Sequence, residues 1–152
     1  MRKIVLIVFV VLTLTGCVSV SFSNVPDFDV ISETEISSTD NVVIQELTYD
    51  ESKFESYYAN YYDMTKENGL YKFSFDNKKS YILFLSKGTE YTNIVFDVVG
   101  NDLIVTYESS KKEGANKSKL FAFDNKGYEV FDTIVLKNNG EEDHFQMSAV
   151  VE

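Results

Sequence analysis

Apolar and polar positions change their spacing several times along the chain. Ile4 to Leu12 is an unbroken apolar run behind Arg2 and Lys3. From Val18 to about Asp40 the text is mostly Ser, Thr, Asn, Asp and Glu, with scattered Val, Phe and Ile and the single proline, Pro26. Such a stretch behaves as a tether, spanning roughly 25–30 Å as a flexible coil. The alternation from Val18 to Ser23 also suits a short edge strand. Beyond it, Phe54, Tyr57, Tyr58, Tyr61 and Tyr62 stand at i, i+3, i+4, i+7 and i+8, the spacing that brings side chains to one face of a helix. Thr48 and Glu51 have capping-box spacing, acidic Asp50, Glu51 and Glu55 complement the dipole, and Asn68-Gly69 is the expected C-cap.

After Gly69 the period shortens to that of strands, interrupted by turn residues every eight to twelve positions. Expected strands run over Leu70–Phe75, Tyr81–Leu85, Tyr91–Val99, Leu103–Glu108, Leu120–Phe123, Glu129–Leu136 and His144–Val150. Gly100-Asn101 lies between two of them as a hairpin turn, with Gly at the position of a type II′ turn that needs positive φ. Ser109–Ser118 is polar, lacks an apolar anchor and is expected to be a mobile loop. The predicted fold is α+β and mainly antiparallel β. A meander of about seven strands curls into a partial barrel, with one N-terminal amphipathic helix laid across it. The globular domain is expected over residues 41–152.

The N-terminal run has a positive start, an apolar centre and a small-residue end, the three parts of a secretory signal. At about 1.5 Å per residue, Ile4 to Leu14 covers only about half of a ~30 Å hydrocarbon core. Leu14-Thr15-Gly16-Cys17 closes the run and resembles the lipobox of bacterial lipoproteins. The resemblance implies that Leu14, Thr15 and Gly16 are read by the processing enzymes. It also implies that residues 1–16 are removed and that Cys17 carries a diacylglyceryl group as the first mature residue. Residues 17–40 then join the lipid to the domain. Two acyl chains anchor stably where one binds only marginally, so the expected location is the outer face of the cell membrane. Cys17 is the only cysteine, which leaves no thiol for a disulfide within the mature chain.

A fainter resemblance covers roughly residues 48–136. A helix precedes Phe75-Asp76, Tyr81–Leu85, Gly88 and Tyr91, and then a strand pair including Leu103-Ile104-Val105. This is similar to a small β-domain of secreted bacterial proteins, named for stabilising a surface protease complex. Where that family has Pro-Thr-Gly-Gly-Tyr, this chain has Gly88-Thr89-Glu90-Tyr91. The resemblance implies a helix-plus-β fold.

Charge narrows the function. The chain carries 14 Lys+Arg against 24 Asp+Glu, a net charge of −10. Removing residues 1–16 takes away Arg2 and Lys3 and no acid, so the net charge becomes −12. That balance argues against nucleic-acid binding, which needs a positive face. Aromatic residues at 14% supply enough apolar surface for a packed core. His144, the only histidine, sits in Glu141-Glu142-Asp143-His144 at the start of the last strand, and no G-x-S-x-G elbow is present. Neither phosphate-binding glycine motif occurs, and the Cys and His ligands that a zinc site needs are lacking. Asp97, Asn101 and Asp102 flank one hairpin turn as hard oxygen donors, the weak candidates for calcium. Asp and Asn are also what tight turns require.

These features point to a non-catalytic, lipid-anchored surface protein whose β-domain binds a protein or peptide at the envelope, with no cofactor beyond the lipid on Cys17. The stripe Tyr57, Tyr58, Tyr61 and Tyr62 is its candidate ligand face, against the simpler role of packing the helix on a sheet. The alternatives are an immunity-type lipoprotein capturing cationic peptides and a lipocalin-like cup for a small ligand. A wall hydrolase using paired carboxylates is the enzymatic rival.

Overall fold

The computed structural model describes residues 28–36, 42–57, 67–75, 79–124 and 131–151. These form strands β1 (Val30–Ile36), β2 (Val42–Leu47), β3 (Gly69–Phe75), β4 (Lys79–Leu85), β5 (Thr89–Val99) and β6 (Asp102–Lys111). Strands β7 (Lys119–Asp124), β8 (Thr133–Asn138), β9 (Glu141–Asp143) and β10 (Met147–Val151) follow, and helix α1 spans Glu51–Tyr57. The mainly β character and the N-terminal helix agree with the sequence. The strands do not make one curled meander, however; they divide into a six-stranded sheet, β1-β2-β7-β4-β3-β10, and a four-stranded sheet, β5-β6-β8-β9.

Strands only a few residues apart in sequence pair with each other: β3 with β4, β5 with β6, and β8 with β9 are antiparallel neighbours. Gly100 has φ 64°, as its expected turn demands. Asn139 and Gly140, at φ 50° and 85°, form the turn between β8 and β9 with both central residues positive, as in type I′. The departures are long-range. Strand β7 inserts between β2 and β4, while β10 runs parallel to β3 and β8 parallel to β6. A turn residue specifies only the hairpin it closes, so these partners are chosen by what each strand buries.

Strand β4 shows the basis of that choice. Every residue from Ser80 to Leu85 is buried, as expected of an apolar run without polar alternation that has cover on both faces. Ile82 and Phe84 join Leu70, Phe121, Leu103 and Val105 in the core between the two sheets. Tyr81, Leu83 and Leu85 point the other way and join Phe73, Leu120 and Phe54 beneath α1. The two-residue period of one strand thus feeds two cores, each buried side chain contributing about 1.5–3 kcal/mol.

Helix α1 supplies the second cover. Phe54 is fully buried, its ring 5.2 Å from that of Phe73 and 5.7 Å from that of Tyr49. The cap is Asp50 rather than Thr48: the Lys53 N–H donates to Asp50 Oδ1 at 3.0 Å, while the Thr48 N–H is used by the Asp29 carbonyl. An N-cap side chain reaches the N–H three positions on, and Asp50 immediately precedes the helix. Gly69 is not a helix cap either. It opens β3, where a β-carbon would come within 2.4 Å of Gln146 Cγ, so a side chain there would displace Gln146.

Part of the segment expected as a tether, residues 28–36, is described and is structured. Phe28 is buried and Val30–Ile36 pairs with β2. This edge strand buries only Ile36, and its polar side chains make cross-strand contacts instead, Gln45 to Glu33 at 2.7 Å and Ser32 to Glu46 at 3.3 Å. Lacking an apolar face, it had the composition of a linker. The loop expected to be mobile is likewise tied down. Residues Ser109–Lys111 continue β6, and Gly88 exchanges backbone hydrogen bonds with Ala115 and Lys112. Apolar anchoring is absent there, but main-chain pairing replaces it.

Asn139 also extends the β6–β8 ladder. Its side chain accepts from the Ser109 N–H and donates to the Ser109 carbonyl, while its own N–H reaches the Tyr107 carbonyl. Asn139→Ala removes the side-chain bonds and places a β-branch-free but less tolerant residue at positive φ, so urea unfolding should show a loss of about 1–2 kcal/mol. Asn139→Gly restores the backbone freedom without the bonds and should fall between.

Candidate functional site

The inner face of β6 reads Leu103, Val105, Tyr107, Ser109, Lys111. The first three are buried and the last two are not, so the core between the sheets ends at Tyr107. The register of β8 places Asn138 beside Tyr107, and β9 sets Asp143 beside Leu136 and Glu141 beside Asn138. An apolar interior therefore gives way to a polar row at one end of the sandwich. A pocket of about 300 Å³ opens there, lined by Asn68, Tyr91, Tyr107, Ser109, Lys111, Asn138, Asp143, His144 and Gln146 among others.

Its centre is Asp143. The Tyr107 hydroxyl donates to Asp143 Oδ2 at 2.5 Å and the Asn138 amide to the same oxygen at 3.4 Å, while the His144 N–H donates to Oδ1 at 2.8 Å. Partial burial pushes the Asp143 carboxyl up, but these donors and the nearby His144 outweigh it and hold the group below the usual carboxylate range. Burial pushes Tyr107 strongly up, reinforced by its bond to Asp143 and the carboxylate charge. The pair is a phenol donating to a carboxylate, with the proton fixed on Tyr107. Because the Asn138 NH₂ faces Asp143, its Oδ1 points elsewhere, buried and without a hydrogen-bond partner. Tyr91 hydrogen-bonds the Asn68 side chain across the same pocket.

Removing the phenol donor gives a pH signature. Asp143 has a folded pKa below its unfolded value of about 3.9, so its contribution is present above that pH and lost as pH falls through the folded value. Tyr107→Phe is expected to lower stability by about 1–3 kcal/mol near neutral pH. The gap from wild type should narrow below about pH 4, as read from urea midpoints across the acid range.

The setting of Asp143 is not that of a general acid. A general-acid carboxyl needs an apolar setting that raises its pKa, and Asp143 is shifted the other way. His144 lies in the β9–β10 connection with its side chain 81% exposed, Nδ1 3.6 Å from Asp143 Oδ1. The space between the sheets is filled by side chains such as Phe84, Leu103, Val105 and Tyr107, all buried.

Of the lipidation, ligand-face and calcium candidates named from sequence, those that are described do not line this pocket. Leu14, Thr15, Gly16 and Cys17 fall outside the described residues, as do Tyr58, Tyr61 and Tyr62; Tyr57 is the last residue of α1. Asp97, Asn101 and Asp102 are engaged separately. Asp97 accepts from the Val98 N–H, Asn101 donates to Asp132, and Asp102 accepts from Thr133. Among the described residues no group of three or more His, Cys, Asp or Glu is placed to hold a metal ion, and no helix is long and apolar enough to cross a membrane. The Asp143 pocket was missed because its members are far apart in sequence and Asp143 looked like one of several turn acids. The usable signal was in β6, where the apolar alternation stops at Tyr107 and continues as Ser109 and Lys111. Compared with family models, with curated proteins and with solved structures, the chain matches none.

Proposed function

We propose that this chain is a lipid-anchored protein on the outer face of the cell membrane whose β-domain binds a protein or peptide ligand at the cell envelope without catalysis. The anchor rests on Leu14-Thr15-Gly16-Cys17 behind a short apolar run. The observation that carries the binding role is the floor of the pocket, an ionised Asp143 held by donors from Tyr107, Asn138 and His144. A carboxylate locked in this way offers an oriented acceptor and is poorly suited to exchanging protons.

Ser109 lines the pocket but uses its backbone, not its hydroxyl, in the bonds to Asn139. Ser109→Tyr should therefore fill the site and leave the fold intact. Crosslinking the intact, lipidated protein in its native envelope should recover a specific polypeptide with wild type and lose it with Ser109→Tyr. Equal recovery from both would remove the pocket from the function.

A further inference from the structure

We infer that the pocket receives the ammonium or guanidinium head of a lysine or arginine side chain, so that the ligand is a cationic peptide; this rests on the binding role proposed above. An ionised carboxylate has about four lone-pair sites, and three are taken, two of them on Oδ2. Asp143 Oδ1 receives one backbone N–H and retains capacity for another donor, and the side chain is 28% exposed. A positively charged head group bearing N–H bonds is the complement to that remaining acceptor, since a hydrogen bond between charged partners is the stronger kind.

The surroundings agree in sign. Glu141 and Glu142 precede Asp143 on the edge strand β9 and are exposed, and Glu67 precedes Asn68 at the opposite wall. The basic side chains at the site are Lys111, exposed at the end of β6, and His144, exposed in the β9–β10 connection. With a mature net charge of −12 behind it, the cleft draws cations towards Asp143 from a distance. Recognition by charge alone would tolerate any polycation. Recognition by the pocket requires one head group to reach Asp143.

The test uses the full-length chain in a nonionic detergent, titrated calorimetrically with tetralysine amide, tetra-arginine amide and tetra(Nε-acetyl-lysine) amide at physiological salt. The two cationic peptides should bind, the acetylated one at least about tenfold more weakly. Ser109→Tyr should reduce lysine-peptide binding by a similar factor while its melting curve matches wild type. Asp143→Asn should do the same, and Ser109→Tyr keeps the inference open to refutation if that variant is poorly folded. Equal affinity for the acetylated peptide, no binding of either cation, or lysine binding unaffected by Ser109→Tyr would overturn it. Should the envelope crosslink still depend on an open pocket, this inference fails alone. Should the crosslink fail too, the binding role falls with it.

Discussion

Phe84→Ala should cost the domain about 3–5 kcal/mol, close to the whole stability of many single domains. Phe84 is fully buried on the central strand of the larger sheet. Its ring meets Tyr91, Tyr107 and Phe121 edge-on at 5.5, 5.2 and 5.7 Å. Those neighbours belong to both sheets, and Tyr107 is the residue that holds Asp143. Truncation leaves a cavity at the point where the sheets and the pocket floor share support. Urea unfolding should show a large fall in midpoint with little change in slope. Val95→Ala, on an exposed edge position of β5, should stay within about 0.5 kcal/mol. A loss below about 1 kcal/mol at Phe84 would contradict the shared core.

The legible parts of this fold were those set by neighbours in sequence. Tyr81–Leu85 read as a strand, Phe54 lay in a predicted helix, and Gly100-Asn101 marked a hairpin, and the structure contains all three. What escaped was set by distant partners. Nothing in Lys119–Asp124 says that it will lie between β2 and β4, and nothing in Val30–Ile36 distinguishes a polar edge strand from a linker until β2 is beside it. The pocket is the same case, since Tyr107 and Asp143 meet across 36 positions of chain through two strand pairings. The proposed lipidation signal is the converse case: a lipobox is a linear string, so the resemblance to one is legible in four residues alone.

Cys17→Ala should abolish membrane retention. A single acyl chain binds with K of only about 10⁴ M⁻¹, whereas two hold a protein stably. The substitution removes both, because the Cys17 thiol is the attachment point implied by the lipobox and the chain has no other cysteine. Wild type should stay with washed membranes and take up labelled palmitate. The variant should lose the label entirely, and its membrane-bound fraction should fall by more than about tenfold. Its folded domain should melt like wild type, because the two sheets and both cores are built from described residues that begin at Phe28.

The lipid anchor is tested most directly by the mass of the N-terminal fragment released from the membrane-bound protein by a lysine-specific protease. The first lysine after Lys3 is Lys53, so the processed chain yields a fragment from Cys17 to Lys53. The account predicts that fragment, heavier than its sequence by a diacylglyceryl group and lightened by the two acyl chains on alkaline ester hydrolysis, which leaves glycerol in thioether linkage to Cys17. An unmodified fragment from Ile4 to Lys53, showing that the address was neither lipidated nor removed, would contradict it.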